Sequence, residues 1–231
     1  MLLDRLGYFV TGTDTEVGKT LIAAAILTLA KQAGLRTAAL KPVAAGGIMD
    51  SGTMVNEDAL LLRQTSTSKQ SYEEVNPVLL NEPIAPHIAA KLQGVDLDLQ
   101  TLIDTTCGVL ENESYDLVIV EGAGGWLVPL DYDTTLADYA RAIGFPVILV
   151  VGMKLGCLSH AMLTVKSIAD HGLNLAGWIG NCLDPGMLAL SDNLVTLKSM
   201  IPSPCLGVVD FMSNPTVEAV SRCIDFSSLD K

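Results

Sequence analysis

The chain has 231 residues, with 14 Lys and Arg against 26 Asp and Glu, and carries a formal charge of −12. No basic block could neutralise a run of phosphates, which excludes nucleic acid and anionic membrane as partners. With 49% hydrophobic and 17% charged residues it is too apolar for disorder and has ample material for a buried core.

The first predicted element is a strand over 7–12 that ends in a glycine turn. Met1 to Val10 carries Asp4 and Arg5 and runs straight into this strand, so it does not read as a secretory leader. An Ala-, Leu- and Ile-rich helix follows over 20–33, then a short strand over 37–41. The segment 46–53 (GGIMDSGT), with three glycines in eight residues, reads as the mobile loop of the chain. Leu117–Glu121 (LVIVE) and 147–151 (VILVV) lack polar alternation, as parallel strands covered on both faces do. Helices are predicted near 57–64, 96–112, 134–143, 158–171 and 187–200, and two late strands over 176–181 and 205–209. Apolar runs alternating with helices predict an α/β fold: a doubly wound, mostly parallel sheet flanked by helices. No repeat, low-complexity tract or linker interrupts it, so 1–231 reads as one domain. No apolar run approaches the roughly 20 residues that span a bilayer, which excludes a membrane anchor of that kind. The five cysteines (Cys107, Cys157, Cys182, Cys205 and Cys223) are odd in number and form no C-x-x-C pair, which points to reduced thiols in a cytoplasmic protein.

The strongest local signal is GTDTEVGKT, from Gly12 through Thr13, Asp14, Thr15, Glu16, Val17, Gly18 and Lys19 to Thr20. It lies after an apolar strand and at the start of a helix, where backbone N–H groups and the helix N-terminus can cradle phosphate oxygens. In such a P-loop Lys19 reaches the β/γ-phosphates of a nucleotide and Thr20 offers its hydroxyl to Mg²⁺. The spacing departs from the strict G-x-x-x-x-G-K-[ST] pattern: five residues separate Gly12 from Gly18.

An ATP–Mg²⁺ site also needs acids. Glu121 ends the LVIVE strand and is followed by Gly122, Ala123 and Gly124, while Asp58 heads a helix after the glycine-rich segment. Mg²⁺ takes few carboxylates beside waters and phosphate oxygens, so Thr20, Asp58 and Glu121 make a sensible metal set. Against the metal reading stands, for Glu121, a strand-end acid facing water, which the strand-end position disfavours; Asp58 could equally be an acid complementing a helix dipole. Lys41, which ends the second strand, is either a second cation near the γ-phosphate or an exposed solubilising lysine. Cys157 and His160, three apart, lack the further partners that a metal site requires. His87 reads as a packed or capping histidine.

Taken in order from residue 8 to about 183, GTDTEVGKT, KPVA, NEDAL, VNP, APHI, VEGAGGW, PVILVVGMKLGCLSHAMLT and LAGWIGN resemble the dethiobiotin synthetase family. The longer loop spacing is that family's own form. The resemblance implies an ATP- and Mg²⁺-dependent ligase of P-loop type. Such enzymes join CO₂ to 7,8-diaminononanoate, close a five-membered ureido ring, release ADP and phosphate, and work as homodimers with active sites at the subunit interface. A carbamate forms first and attacks the γ-phosphorus; the second amine then displaces phosphate from the carbamic–phosphoric anhydride. Lys19 and Lys41 would hold the carbamate and the migrating phosphoryl oxygens, with Thr15 beside them as a catalytic contact. The resemblance further implies nucleotide contacts along the loop from Thr13 to Thr20, at Gly122 to Gly124, and from Asn181 to the purine. Substrate contacts fall on Thr15, Lys41, Ala45 and Gly124. A loop at Leu155, Gly156, Cys157 and Ser159 takes the substrate's distant carboxylate in the neighbouring subunit's site.

Three positions depart from the commoner family pattern: Ala45 where a small hydroxyl residue is usual, Ser159 where asparagine is frequent, and Cys182 where aspartate is frequent. Asn181 to Asp184 also overlaps the N-K-x-D guanine signature without its lysine, yet ATP is the favoured nucleotide. Among rivals, a partition-type ATPase switch would carry its signature lysine where Asp14 stands. A small-molecule kinase would bring an arginine-rich lid, whereas the five arginines here are scattered. The synthetase module of cobyrinate amidases would need an added glutaminase domain, for which 231 residues leave no space.

Overall fold

A computed structural model describes residues 6–229 of the chain; Asp4 and Arg5, part of the leader reading, lie outside the described residues. The chain runs β1 (Leu6–Gly12), α1 (Lys19–Gln32), β2 (Thr37–Leu40), β3 (Val43–Ala45), β4 (Ile48–Asp50), β5 (Thr53–Val55), α2 (Glu57–Thr65), α3 (Tyr72–Val75), β6 (Val78–Leu80), α4 (Pro86–Gln93) and α5 (Leu99–Asn112). It continues β7 (Leu117–Glu121), α6 (Leu136–Ile143), β8 (Val147–Met153), α7 (Cys157–Asp170), β9 (Leu175–Cys182), α8 (Leu190–Met200), β10 (Cys205–Val209) and α9 (Val217–Ser221). No helix among the described residues is long and apolar enough to cross a membrane.

Six strands form one sheet in the order β10-β9-β8-β1-β7-β2, and every pairing in it is parallel. The unbroken apolar runs are explained by a division of their side chains between two cores. Phe9, Val118, Val120, Val147, Leu149 and Val151 face one core, where Leu110, Tyr139, Ile168 and Leu197 of α5 to α8 cover them. Tyr8, Val10, Leu117, Ile119, Ile148 and Val150 face the other, covered by Ile22 and Ile26 of α1, Leu62 of α2 and Val220 of α9. Successive side chains of a strand point to opposite faces, so a strand buried on both has no position left for a polar residue. Each fully buried aliphatic or aromatic side chain contributes about 1.5–3 kcal/mol.

Strand order places the site. β1 lies between β7 and β8, so chain connections diverge to either side of it, and ligands of open α/β sheets bind at the carboxyl ends around such a point. Register then sets which residues meet there. Val10 pairs with Glu121 and Leu40 with Val120, which puts Lys41, one residue on, level with Glu121.

Several regions differ from the sequence reading. Segment 46–53 is not an irregular loop: β4 and β5 form an antiparallel hairpin closed by Ser51 (φ 49°) and Gly52 (φ 88°). Both turn residues sit in the left-handed region that a two-residue hairpin needs to match strand twist. A three-residue strand is too short to announce itself by alternation, and the same holds for β3, which pairs with β6. The short helices α3, α4 and α9 were likewise not predicted, while the helix expected from 96 starts at Leu99, where Asp98 caps it by accepting a hydrogen bond from Thr101 N.

Candidate active site

The phosphate loop joins β1 to α1 and is held by backbone and side-chain bonds from its neighbours. Thr13 N donates to Val150 O (3.0 Å) and Gly152 N donates to Thr13 Oγ1 (3.2 Å), which fasten the loop to β8. Asp14 Oδ1 accepts from Thr15 N (2.8 Å), and Asp14 O accepts from Lys19 Nζ (3.1 Å). Val17 is buried beneath the loop, and its carbonyl accepts from Asn181 Nδ2 (2.9 Å) at the end of β9. Gly18, at φ 88°, turns the chain into α1; a Cβ there would stand 2.4 Å from Asn181 Nδ2. Glu16, at φ 58°, is a non-glycine residue in the same left-handed region.

Five functional side chains converge beside this loop. Lys41 Nζ lies 2.7 Å from Asp58 Oδ2 and 2.6 Å from Glu121 Oε1, and Thr20 Oγ1 donates to Glu121 Oε1 (2.8 Å). Lys41 and Glu121 are sealed from solvent, Lys19 is nearly so, and Asp58 is half-exposed. Asp58 reaches this position because Asn56 caps α2, accepting from Ala59 N (3.2 Å), and aims its first turn at the end of β2. An exposed, solubilising role for Lys41 and a solvent-facing role for Glu121 are therefore both excluded.

The electrostatics follow from two ammoniums and two carboxylates in a largely buried cluster. Burial works against the Lys41 charge, but Glu121 and Asp58 outweigh it and hold its pKa above the usual lysine value. Burial pulls the Lys19 pKa down, Glu121 only partly opposes this, and the neighbouring charge of Lys41 adds to the fall. Asp58 would be raised by burial, yet Lys41 and the Thr20 hydroxyl keep its carboxyl below the ordinary 3.8. Lys19 is the cation whose charge is least compensated, so an anion entering the loop is favoured at its ammonium.

These side chains line one wall of a cavity of about 910 Å³. Thr15, Glu16, Gly18, Ala45, Ala123 and Gly124 line it as well, so the loop, the end of β3 and the turn after β7 share one space. Its remaining lining includes the apolar Leu61, Pro83, Ile84, Leu127, Val128 and Pro129. Sequence reasoning singled out none of these six, because an apolar residue gives no signal until its neighbours across the cavity are known.

Other predicted residues lie elsewhere. Thr13, Asp14 and Val17 support the loop from behind the cavity, and Gly122 N is bonded to Val10 O (3.0 Å). Leu155 and Gly156, between β8 and α7, and Cys157 and Ser159, in the first turn of α7, are not on the cavity wall of their own chain. There Leu155 is 98% exposed while the Cys157 side chain is packed in the core. His87 sits edge-on to Tyr132, with ring centroids 6.3 Å apart, outside the cavity.

The donor set fits a hard dication. Thr20 Oγ1 and the carboxylates of Asp58 and Glu121 supply oxygens only, and Glu121 Oε2 is buried with no hydrogen-bond partner. A buried carboxylate oxygen left without a partner is costly, and an ion beside it would satisfy it. Two carboxylates and a hydroxyl are the few protein ligands that Mg²⁺ takes when a nucleotide supplies the rest.

Comparison with known proteins bears on family and fold. A family model described as an AAA domain matches residues 6–219. The chain is 45% identical over 227 residues to an ATP-dependent dethiobiotin synthetase BioD of Cellvibrio japonicus, covering 98% of this chain and 99% of that one. It is 50% identical over 204 residues to the protein so named in Aromatoleum aromaticum, covering 87% and 89%. Among solved structures, MinD from Pyrococcus horikoshii complexed with Mg-ADP superposes with a TM-score of 0.55 at 16% identity, covering 98% of this chain and 88% of that one. That likeness is one of fold, the P-loop sheet with its flanking helices. Identity of 45 to 50% along nearly the whole of both chains, together with the extended phosphate loop, shows that this chain belongs to the ATP-dependent dethiobiotin synthetase family.

Proposed function

We propose that this chain closes the cyclic urea of dethiobiotin from 7,8-diaminononanoate and CO₂, using ATP and releasing ADP and phosphate. Family membership supports the reading. The observation that carries it is the convergence of Lys19, Lys41, Thr20, Asp58 and Glu121 on a cavity that also has an apolar lining. A substrate with two amines at one end and an aliphatic chain behind them finds both charged and apolar lining there.

No protein nucleophile is required. One amine adds to CO₂, forming an N–C bond and losing a proton to solvent. The carbamate oxygen attacks the γ-phosphorus as the bond to ADP breaks, and the second amine attacks the carbonyl carbon and expels phosphate. The protein's contribution is placement and charge stabilisation. Lys19 holds the migrating phosphoryl oxygens from the loop side. Lys41, kept protonated by its two acids, faces them from the strand side and holds the carbamate. Thr15 and Gly124 border the reacting groups, and Ala45 bounds the substrate without offering a hydrogen bond. The amides of the loop from Glu16 to Thr20 receive the phosphates beside the turn at Ala123 and Gly124, while Asn181 approaches the purine. Thr20, Asp58 and Glu121 would hold Mg²⁺, which neutralises charge on the β/γ-phosphates.

The chain works as a single domain and as a homodimer in this reading. The exposed Leu155 and the glycine turn behind it lie off their own cavity, which supports their delivery to a partner's site for the substrate carboxylate. Five free cysteines accord with a cytoplasmic setting.

Isotope-labelled bicarbonate supplied with ATP, Mg²⁺ and the diamine tests the proposal. Label is expected in a cyclic urea, with phosphate release stimulated only when diamine and bicarbonate are both present. Label that never leaves the bicarbonate pool while ATP is hydrolysed would overturn it.

A further inference from the structure

Asp14 is an oddity in a loop built for anions, because a carboxylate there opposes the phosphates it helps to cradle. Its surroundings resolve the conflict. Asp14 Oδ2 lies 2.6 Å from the ammonium of Lys154, its Oδ1 accepts from Thr15 N, and its carbonyl accepts from Lys19 Nζ. One residue thus joins the loop backbone, the phosphate-facing lysine and a cation from another element.

Lys154 directly follows β8, the strand whose Val150 and Gly152 already hold Thr13. Its own carbonyl accepts from Cys157 N (2.9 Å), which closes the turn leading to α7. A displacement of that turn is therefore transmitted through one side chain to the head of the phosphate loop.

We propose that Lys154 is a positioning residue: by neutralising and clamping Asp14 it sets the shape of the phosphate loop and ties it to the turn that begins at Leu155. Both partners are half-exposed, at 40% and 44%, and ion pairs so exposed contribute little to stability. The role is geometric. The Lys154 hydrogen bond and charge also hold the Asp14 carboxyl below its ordinary value, so the carboxylate stays ionised and attached across the neutral range.

The test uses the full-length chain with Lys154→Met, Lys154→Arg, Asp14→Asn and the double variant Asp14→Asn/Lys154→Met. Nucleotide affinity is measured by direct titration with MgATP, alongside kcat, KM and melting temperature. Lys154→Met is expected to weaken MgATP binding and raise its KM by roughly tenfold, inside the hundredfold that a 1 Å misplacement can cost, with kcat falling less. Melting temperature should stay within a degree or two of the parent, since an exposed pair contributes little. Lys154→Arg should restore most of the affinity, and the double variant should bind no worse than the weaker single one. Unchanged affinity in Lys154→Met, an arginine variant as impaired as the methionine one, or additive losses in the double variant would each overturn the proposal. The activity arm rests on the ligase reading, whereas the titration needs no diamine. Weakened nucleotide binding in a chain that forms no cyclic urea would therefore sink the ligase and leave the role of Lys154 standing.

Discussion

Lys41 Nζ lies 2.6 Å from Glu121 Oε1, with both side chains out of reach of solvent. Lys41 directly follows β2 and Glu121 ends the adjacent parallel β7, and the register of those strands brings them level. Buried ion pairs rarely add stability over a well-packed apolar substitute, because desolvation offsets attraction. A pair kept dry and charged beside a phosphate loop is explained instead by what the ammonium does when a phosphoryl group arrives.

Replacing Lys41 by methionine removes that ammonium while keeping most of the volume. Turnover is expected to fall by roughly 10²–10³, as it does when one oriented stabilising donor is removed. Glu121 is then left buried without its counter-ion, which destabilises by about 3–5 kcal/mol, and added Mg²⁺ should recover part of that loss. Cyclic-urea formation and thermal melting with and without Mg²⁺ measure both effects. Near-normal turnover would end the two-lysine account.

Glu121→Gln keeps the shape and hydrogen bonds of the site but removes a charge from the oxygen set. The Mg²⁺ concentration for half-maximal rate should rise by roughly tenfold or more, equivalent to ~1.4 kcal/mol, and the melting shift produced by Mg²⁺ with nucleotide should shrink. Asp58→Asn should do the same more weakly, because its carboxylate is half-exposed. An unchanged Mg²⁺ dependence in Glu121→Gln would refute the metal assignment.

Gly18 and Gly34 separate backbone strain from local crowding. Both have positive φ, 88° and 81°, but a Cβ at Gly34 meets open space while one at Gly18 stands 2.4 Å from Asn181 Nδ2. Alanine at either position costs about 1–2 kcal/mol for the left-handed backbone. Only Gly18→Ala should also dislodge Asn181 from Val17 O and weaken nucleotide binding, which titration against Gly34→Ala checks.

The depressed Asp58 carboxyl gives stability a definite sign in acid. Its contribution is fully present above the unfolded value, near 3.8, and is lost as pH falls through the lower folded value. Stability of the parent relative to Asp58→Asn should therefore hold from neutral pH to about 4 and shrink below it. Denaturant melts across that range measure it, and a gap that widened in acid would contradict the Lys41–Asp58 pairing.

Much of the site could be read before any coordinates. GTDTEVGKT names a strand, a loop and a helix at once, since a loop that binds anions through its backbone needs glycines and a following helix N-terminus. The apolar runs of β7 and β8 declared a sheet covered on both faces, because no polar residue could face water there. The hairpin of β4 and β5 was not legible: three residues per strand carry no period, and its turn uses Ser51 where Asn or Gly would signal the left-handed conformation.

Local pattern was enough for the phosphate loop, the doubly wound class and the acid at the end of LVIVE, because each is a property of neighbouring residues. It left Lys41 poised between surface lysine and site lysine, and it placed Lys154 in the loop before α7 with no hint of its partner. Their partners come from long-range geometry: Lys41 meets a glutamate 80 positions away, and Lys154 an aspartate 140 positions away. Such contacts exist only once parallel strands have chosen their order and register, which depends on how whole faces pack rather than on any local run of residues.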